Sequence, residues 1–143
     1  MIKHTFEIAP VEQVRPRAAR MRNNNRIVLY DVPKVKLFKQ TIGVEASLSY
    51  RQPPLKGALK VSIAFYRPIN KSASKKQSLL QASKQALPVV KPDLDNYIKS
   101  FIDALHGIYW DDDNQICHID ARKFYSVTPR IEIMVEQISE DKL

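Results

Sequence analysis

The chain has little cysteine, little glycine and no long apolar run, and each shortage excludes a class of protein. A single cysteine among 143 residues excludes an intrachain disulfide framework. Three glycines leave no glycine-rich phosphate loop, which argues against a nucleotide-dependent kinase or ATPase and predicts no nucleotide cofactor. No apolar run approaches the roughly 20 residues of a transmembrane helix, so no membrane partner is expected. Because no signal-peptide pattern is present, the expected location is the reducing cytoplasm.

Acidic residues are scarce in the first two thirds of the chain. Residues 1–91 contain 18 Lys or Arg and 4 Asp or Glu, a formal charge of +14, whereas residues 92–143 contain 5 and 11, a charge of −6. The basic part predicts a polyanionic partner, because Lys and Arg side chains release counterions when they neutralise phosphates. A basic surface beside clustered carboxylates indicates an enzyme that holds nucleic acid and places metal on it. The alternative is a soluble basic domain with scattered charges.

Two basic segments are the candidate nucleic-acid contacts. Residues 10–26 are predicted to form a loop with no acid after Glu12 and a turn at 23–25. Residues 69–90 are predicted to form a flexible basic arm containing a weak helix over 77–86. Arginine binds phosphate oxygens in a bidentate geometry. The predicted DNA-binding residues are Arg15, Arg17, Arg20, Arg22, Arg26, Lys75, Lys76 and Lys91. A solvated basic loop and a plain flexible connection are the alternatives.

The hydrophobic periodicity predicts an α+β fold. Thr128, Pro129 and Arg130 are typical of a hairpin turn between the last two strands. Residues 1–143 are expected to form one domain, in which a mixed sheet of about four to five strands packs against two main helices. Strands are predicted over residues 2–9, 27–30, 59–66, 116–127 and 131–135, and a helix over about 34–49.

The most informative stretch is residues 91–96, Lys-Pro-Asp-Leu-Asp-Asn, together with the second main helix, which follows it. Pro92 marks the helix start, and Asp93 or Asn96 is predicted to cap the first turn. Gly107 is predicted to end the helix. Its apolar stripe has no gap and consists of Leu94, Tyr97, Ile98, Phe101, Ile102 and Leu105.

Carboxylates gather at both ends of this helix. Asp93 and Asp95 lie at its start, and Asp111, Asp112 and Asp113 follow its end. If the two segments pair side by side, Asp113 approaches Asp93 and Asp95. Mg²⁺ prefers hard oxygen ligands and is usually held by one or two carboxylates plus a substrate phosphate. From the residues alone, a metal site, an N-cap at Asp93 and a solvated turn at Asp111 and Asp112 all remain open.

Lys99 lies one helical turn beyond Asp95. Its ammonium is predicted to face the scissile phosphate and neutralise charge in the transition state. The alternative is an ordinary ion pair with Asp95, four residues earlier on the same face.

These residues together resemble the signature of the RusA family of Holliday-junction endodeoxyribonucleases, which phages and prophages often carry. The strong resemblance covers residues 91–116, and a weaker one covers Arg15-Pro16-Arg17 followed by Tyr30. The residues that carry it are Lys91-Pro-Asp93-Leu-Asp95-Asn96, Lys99, Phe101-Ile-Asp103-Ala-Leu105, Gly107, Trp110 and Asp112-Asp113-Asn-Gln115.

The resemblance implies a RusA-like fold and a homodimer that binds branched, four-way DNA in recombination and repair. It implies that two opposed strands are cut by paired symmetric nicks, with Mg²⁺ as cofactor or Mn²⁺ in its place. The metal-binding and catalytic aspartates map onto Asp93, Asp95 and Asp113, with Asp112 as the alternative third ligand. The catalytic lysine maps onto Lys99. Two other functions remain open, a non-catalytic basic nucleic-acid-binding protein and a different Mg²⁺-dependent phosphoryl-transfer enzyme.

Overall fold

The centre of the fold is a four-stranded sheet in the spatial order β1-β6-β4-β5. A computed structural model describes residues 1–139. Strands β4 and β5 are parallel, whereas β6 runs antiparallel to both β1 and β4, so the sheet is mixed, as predicted. The elements are β1 Ile2–Phe6, β2 Arg17–Arg20, β3 Ile27–Tyr30, α1 Pro33–Ser49, β4 Leu59–Pro68, α2 Lys75–Ala82, α3 Leu94–Leu105, β5 Ile116–Ser126 and β6 Arg130–Gln137.

The predicted hairpin between β5 and β6 is wrong. β4 lies between the two strands, and it pairs with β5 on one side and with β6 on the other. The residues from Val127 to Pro129 therefore cross the end of β4. Alternation of apolar residues is the same in parallel and antiparallel strands, so the pattern alone did not reveal the pairing.

The core lies between the sheet and helices α1 and α3, and α3 is fixed there by aromatic contacts. The ring of Phe101 meets those of Phe6 and Phe65 edge-on, at centroid distances of 5.5 Å and 5.8 Å. Tyr97 stacks on Phe65 at 5.4 Å. Each such buried side chain contributes about 2 kcal/mol by removing apolar surface from water. The buried face of α1 consists of Val35, Phe38, Ile42 and Ala46.

The predicted loop over residues 10–26 is wrong at residues 17–20, which form a strand. β2 and β3 pair antiparallel from Arg17 opposite Tyr30 to Arg20 opposite Ile27. Asn25 adopts a positive φ of 59° at the turn, which is where the asparagine run predicted a reversal. All eight side chains of this β2–β3 hairpin are exposed. The strand was missed because Arg-Ala-Ala-Arg has no apolar alternation to reveal it.

The basic arm contains helix α2, a few residues earlier than predicted. Ser74 begins it through a capping box with Gln77. Gln81 is buried, and its side-chain oxygen accepts a hydrogen bond from the backbone N–H of Asn70 at 3.1 Å. The predicted flexibility of the arm stays a prediction. Within residues 1–139, none of the helices has the length and apolar character that crossing a membrane requires.

Candidate nuclease site

The start of α3 has two carboxylates without partners in the part of the chain that the structure describes. Asp93 occupies the N-cap position, but its side chain makes no capping hydrogen bond; its backbone carbonyl accepts from the N–H groups of Asn96 and Tyr97 instead. The predicted side-chain cap is therefore absent. Asp95 follows in the first turn. Both residues are exposed, and within residues 1–139 neither side chain forms an ion pair or hydrogen bond.

A cleft of about 580 Å³ runs along the polar face of α3. It brings the predicted site residues Lys99 and Asp113 together with Arg15, which precedes the β2–β3 hairpin. Asp93 and Asp95 do not line it. The remaining lining residues come from the segment before the hairpin, from the connection between β3 and α1, from α1 and from α3: Gln13, Val14, Pro16, Asp31, Lys39, Asn96, Ile102 and Asp103.

Asp113 is held by two donors at the end of α3. Its Oδ1 accepts a hydrogen bond from Trp110 Nε1 at 2.7 Å and lies 3.1 Å from His106 Nδ1. The hydrogen bond with Asp113 raises the pKa of the exposed His106 above its ordinary value, against a small opposing effect of desolvation. His106 was not predicted as a site residue, because a single histidine beside Gly107 belongs to no recognisable sequence motif.

The other two aspartates of the acidic turn build the turn itself. Asp112 caps the short 3-10 turn Asp113–Gln115 by accepting from the N–H of Asn114 at 3.1 Å. The side-chain oxygen of Gln115 accepts the backbone N–H groups of Asp111 and Asp112, both at 2.9 Å. Asp111 also forms an ion pair with Lys56. Only Asp113 of the three lines the cleft.

Lys99 is an unpaired cation on this face within the part of the chain that the structure describes. Asp103, on the same helix, does not pair with Lys99; it pairs with Lys39 of α1 at 2.7 Å. Lys39 also bonds Asp31 at 2.7 Å. Burial favours the neutral form of Lys39, but the hydrogen bonds that it donates to Asp103 and Asp31 outweigh this effect and raise its pKa. The same bond to Lys39, with a second from Gln13, lowers the pKa of Asp31.

The predicted three-carboxylate group does not assemble in this geometry. Among residues 1–139, no three His, Cys, Asp or Glu side chains lie close enough together to hold one metal ion. Asp93 and Asp95 lie at one end of α3 and Asp113 beside the other. The 12 residues of the helix span about 18 Å at the usual rise.

The predicted DNA-binding residues are all exposed. Arg15 lines the cleft, Arg17 and Arg20 lie on β2, and Arg22 and Arg26 flank the hairpin turn. Lys75 and Lys76 begin α2. Lys91 lies two residues before Asp93. These positions therefore form three separate basic surfaces, on the hairpin, on the arm and beside the start of α3.

The comparison with known protein families gives a match that covers most of the chain. The family model described as endodeoxyribonuclease RusA matches residues 7–136. This chain belongs to the RusA family. The RusA match includes the hairpin, the cleft and both ends of α3. The chain is also 35% identical over 140 residues to the uncharacterized protein YqaN of Bacillus subtilis (strain 168), an alignment covering 96% of this chain and 97% of YqaN. The resemblance and the α+β fold are thereby confirmed.

Proposed function

We propose that this RusA-family chain is a metal-dependent, structure-selective endonuclease that resolves Holliday junctions by paired symmetric nicks. One observation carries the proposal: within residues 1–139, the exposed carboxylates of Asp93 and Asp95 have no partner at the start of a packed helix, and neither does Lys99 one turn further on. Carboxylate oxygens that lack a protein partner are available to a divalent ion, and an ammonium beside them is available to a phosphate. We place its work in the cytoplasm, in DNA recombination and repair and in a prophage context.

The residues at the start of α3 fit a divalent ion. Their donors are hard carboxylate oxygens, to which no protein group among residues 1–139 bonds. Mg²⁺ is commonly held by one or two carboxylates, with water and substrate phosphate completing its shell, and Mn²⁺ accepts the same oxygen ligands. Asp93 and Asp95 would hold it. When bound, such an ion polarises the phosphate and supplies a water of lowered pKa.

Asp113 is the third carboxylate that the resemblance implies. Its role is favoured over that of Asp112 because Asp113 lines the cleft with Lys99, whereas the Asp112 carboxylate caps the turn. One Asp113 oxygen is taken by Trp110 and His106, which orient the side chain and leave the other for a ligand. Lys99 would neutralise charge on the phosphate, from a helix that its apolar stripe holds in place.

The basic surfaces supply affinity for branched DNA. Between Arg15 and Arg26 the chain contains five arginines and no acid, so this segment has a dense positive charge. A two-stranded β-ribbon is narrow enough to enter a DNA groove. A two-fold symmetric homodimer would present two clefts to the two opposed strands of a four-way junction.

The test is cleavage of a synthetic four-way junction in Mg²⁺ by the parent and by Asp95→Asn. We expect paired symmetric nicks from the parent and retained binding without cleavage from the variant. Asp120→Asn is the matched control, because it removes an exposed carboxylate on β5 that pairs with Arg122 at 3.4 Å. The control should cleave like the parent.

The separation of Asp113 from Asp93 and Asp95 favours one competing function, a basic nucleic-acid-binding protein without catalysis. The same assay distinguishes the two. Junction binding by the parent with no metal-dependent nicking would support the binding protein and reject the nuclease. Cleavage of unbranched DNA in preference to junctions would instead indicate a different Mg²⁺-dependent phosphoryl-transfer enzyme.

A further inference from the structure

Three successive carbonyls immediately before Asp93 are bound by two cationic side chains of the sheet. Lys123 Nζ donates to the carbonyl oxygens of Val90 and Pro92, both at 3.0 Å. Arg67 Nη1 donates to the carbonyl oxygen of Lys91 at 2.7 Å. This segment belongs to no helix or strand, so hydrogen bonds from elsewhere in the fold determine its path.

The parallel pairing of β4 and β5 places both cations at this position. Lys123 is in register with Phe65, and Arg67 follows Phe65 by two residues. Residues that are paired across two strands, and residues two apart on one strand, project from the same face of a sheet. Lys123 and Arg67 therefore project from the same face as Phe65, which packs against the helices. They lie towards the carboxyl ends of the two strands, where the chain enters α3.

Arg67 is itself held in one orientation. Its Nη2 donates to Asn70 Oδ1 at 3.2 Å, and its guanidinium lies 5.5 Å from the centre of the Tyr125 ring. Asn70 in turn donates to the Tyr125 hydroxyl at 3.3 Å. In residues 1–139 neither Arg67 nor Lys123 pairs with a carboxylate. Their protein hydrogen-bond partners are therefore neutral oxygens, chiefly the carbonyls of this segment.

We propose that Lys123 and Arg67 are positioning residues for the nuclease site. By fixing the backbone of residues 90–92, they determine the direction in which the Asp93 and Asp95 carboxylates point. The inference rests on the proposed function, because it assigns these carboxylates to a divalent ion. Neither cation is expected to contact the substrate, and this separates them from the DNA-binding lysines and arginines.

The first test measures metal binding by the full chain without DNA. Mn²⁺ affinity, followed by electron paramagnetic resonance, is expected to fall about tenfold in Lys123→Met and in Arg67→Gln, the size typical of losing a group that orients a metal ligand. Lys123→Arg should restore most of the loss. Arg122→Met is the matched control, because Arg122 is the next residue of β5, is exposed and pairs with Asp120. Unchanged affinity in both Lys123→Met and Arg67→Gln overturns the proposal.

The second test separates positioning from DNA contact. The Mg²⁺ concentration that gives half-maximal junction cleavage should rise about tenfold in Lys123→Met. Junction affinity measured in EDTA should stay at the parent value. A matching loss of metal-free junction affinity would make Lys123 a phosphate contact and overturn the proposal.

The third measurement distinguishes failure of this inference from failure of the proposed function. Amide hydrogen exchange at Asn96 and Tyr97, which donate to the Asp93 carbonyl, should accelerate in Lys123→Met at an unchanged thermal midpoint. One outcome is that the parent cuts no junction while the variants show faster exchange and weaker Mn²⁺ binding. That outcome would reject the nuclease and retain the positioning role. The opposite outcome is that the parent cuts junctions while amide exchange and Mn²⁺ affinity stay unchanged in the variants. It would retain the nuclease and reject the positioning role.

Discussion

The two ends of α3 carry aspartates of the same chemistry in opposite situations. At the start, Asp93 and Asp95 have no protein partner within residues 1–139. After the end, Asp111 pairs with Lys56, Asp112 caps a turn and Asp113 accepts two hydrogen bonds. The difference shows that an acidic cluster in the sequence does not identify its own role. The partners supplied by the fold assign Asp111 and Asp112 to the turn, orient Asp113 through one oxygen, and leave Asp93 and Asp95 available for a ligand.

Removing one partnerless carboxylate should abolish chemistry and leave folding intact. Asp93→Asn is expected to lower junction cleavage by at least about a hundredfold, because it removes a proposed ligand of the ion. Its thermal midpoint should match that of the parent, since no side-chain hydrogen bond is lost. Asp111→Asn, at the other end of α3, is the control and should retain cleavage. Equal losses of junction cleavage in Asp93→Asn and Asp111→Asn would contradict the proposed difference between the two ends of α3.

The same contrast applies to two lysines of the cleft: among residues 1–139 Lys99 has no carboxylate partner, whereas Lys39 has two. Lys99→Ala is expected to lower the cleavage rate by about a hundredfold, the usual cost of removing a group that stabilises transition-state charge. Junction affinity should change much less. Lys36→Ala removes the same charge from an exposed position outside the cleft and serves as control. Equal losses of rate and affinity in Lys99→Ala would make it a plain phosphate contact.

Lys39→Met should instead cost stability. The substitution leaves Asp31 and Asp103 without their shared partner, and we expect the free energy of unfolding to fall by about 2 kcal/mol. Urea denaturation of the parent and the variant measures this loss. An unchanged free energy of unfolding would show that the pair contributes only to the shape of the cleft.

The pH dependence of stability follows from the lowered pKa of Asp31. A lowered folded-state pKa contributes stability above the unfolded value, about 3.9, and the contribution is lost as the pH falls through the folded-state pKa. The parent should therefore exceed Asp31→Asn in unfolding free energy near neutrality and converge with it in acid. Urea denaturation between about pH 6 and about pH 2 tests this convergence. A constant difference across that range would contradict it.

The smallest expected effect is at Asp112. Asp112→Ala removes the cap of the 3-10 turn and should cost about 1 kcal/mol of stability. Cleavage at a temperature well below the thermal midpoint should stay near the parent rate, because the Asp113 carboxylate keeps its bond to Trp110. Loss of cleavage in a folded Asp112→Ala protein would move the third-ligand assignment to Asp112.

What the sequence predicted well was periodic. The stripe from Leu94 to Leu105, the stop at Gly107 and the alternation from Leu59 to Phe65 each appear as predicted, because burial enforces these spacings. What it missed depends on contacts between distant residues. Lys39 and Asp103 are 64 positions apart in the numbering, and no local pattern announces their ion pair.

Two misses have a different physical origin. An aspartate at an N-cap position often forms a capping hydrogen bond but does not always do so. Only the structure therefore shows that the Asp93 side chain makes no such bond. The hairpin strand Arg17–Arg20 is exposed on both faces. Its sequence therefore lacks the alternation of apolar and polar residues that a half-buried strand shows. The assembly of Asp93, Asp95 and Asp113 at one ion stays a proposal.

The exposed hairpin has a calorimetric consequence. A two-stranded ribbon is marginally stable in water by itself, and Ile27 and Leu29 expose 67% and 68% of their surface. Any DNA complex that covers these side chains removes apolar surface from water, which gives binding a negative heat-capacity change. Ordering the ribbon adds an unfavourable entropy to the same event. Titration calorimetry at several temperatures should therefore show that the enthalpy of DNA binding falls more steeply with temperature for the parent than for a chain with Ile27→Ser and Leu29→Ser.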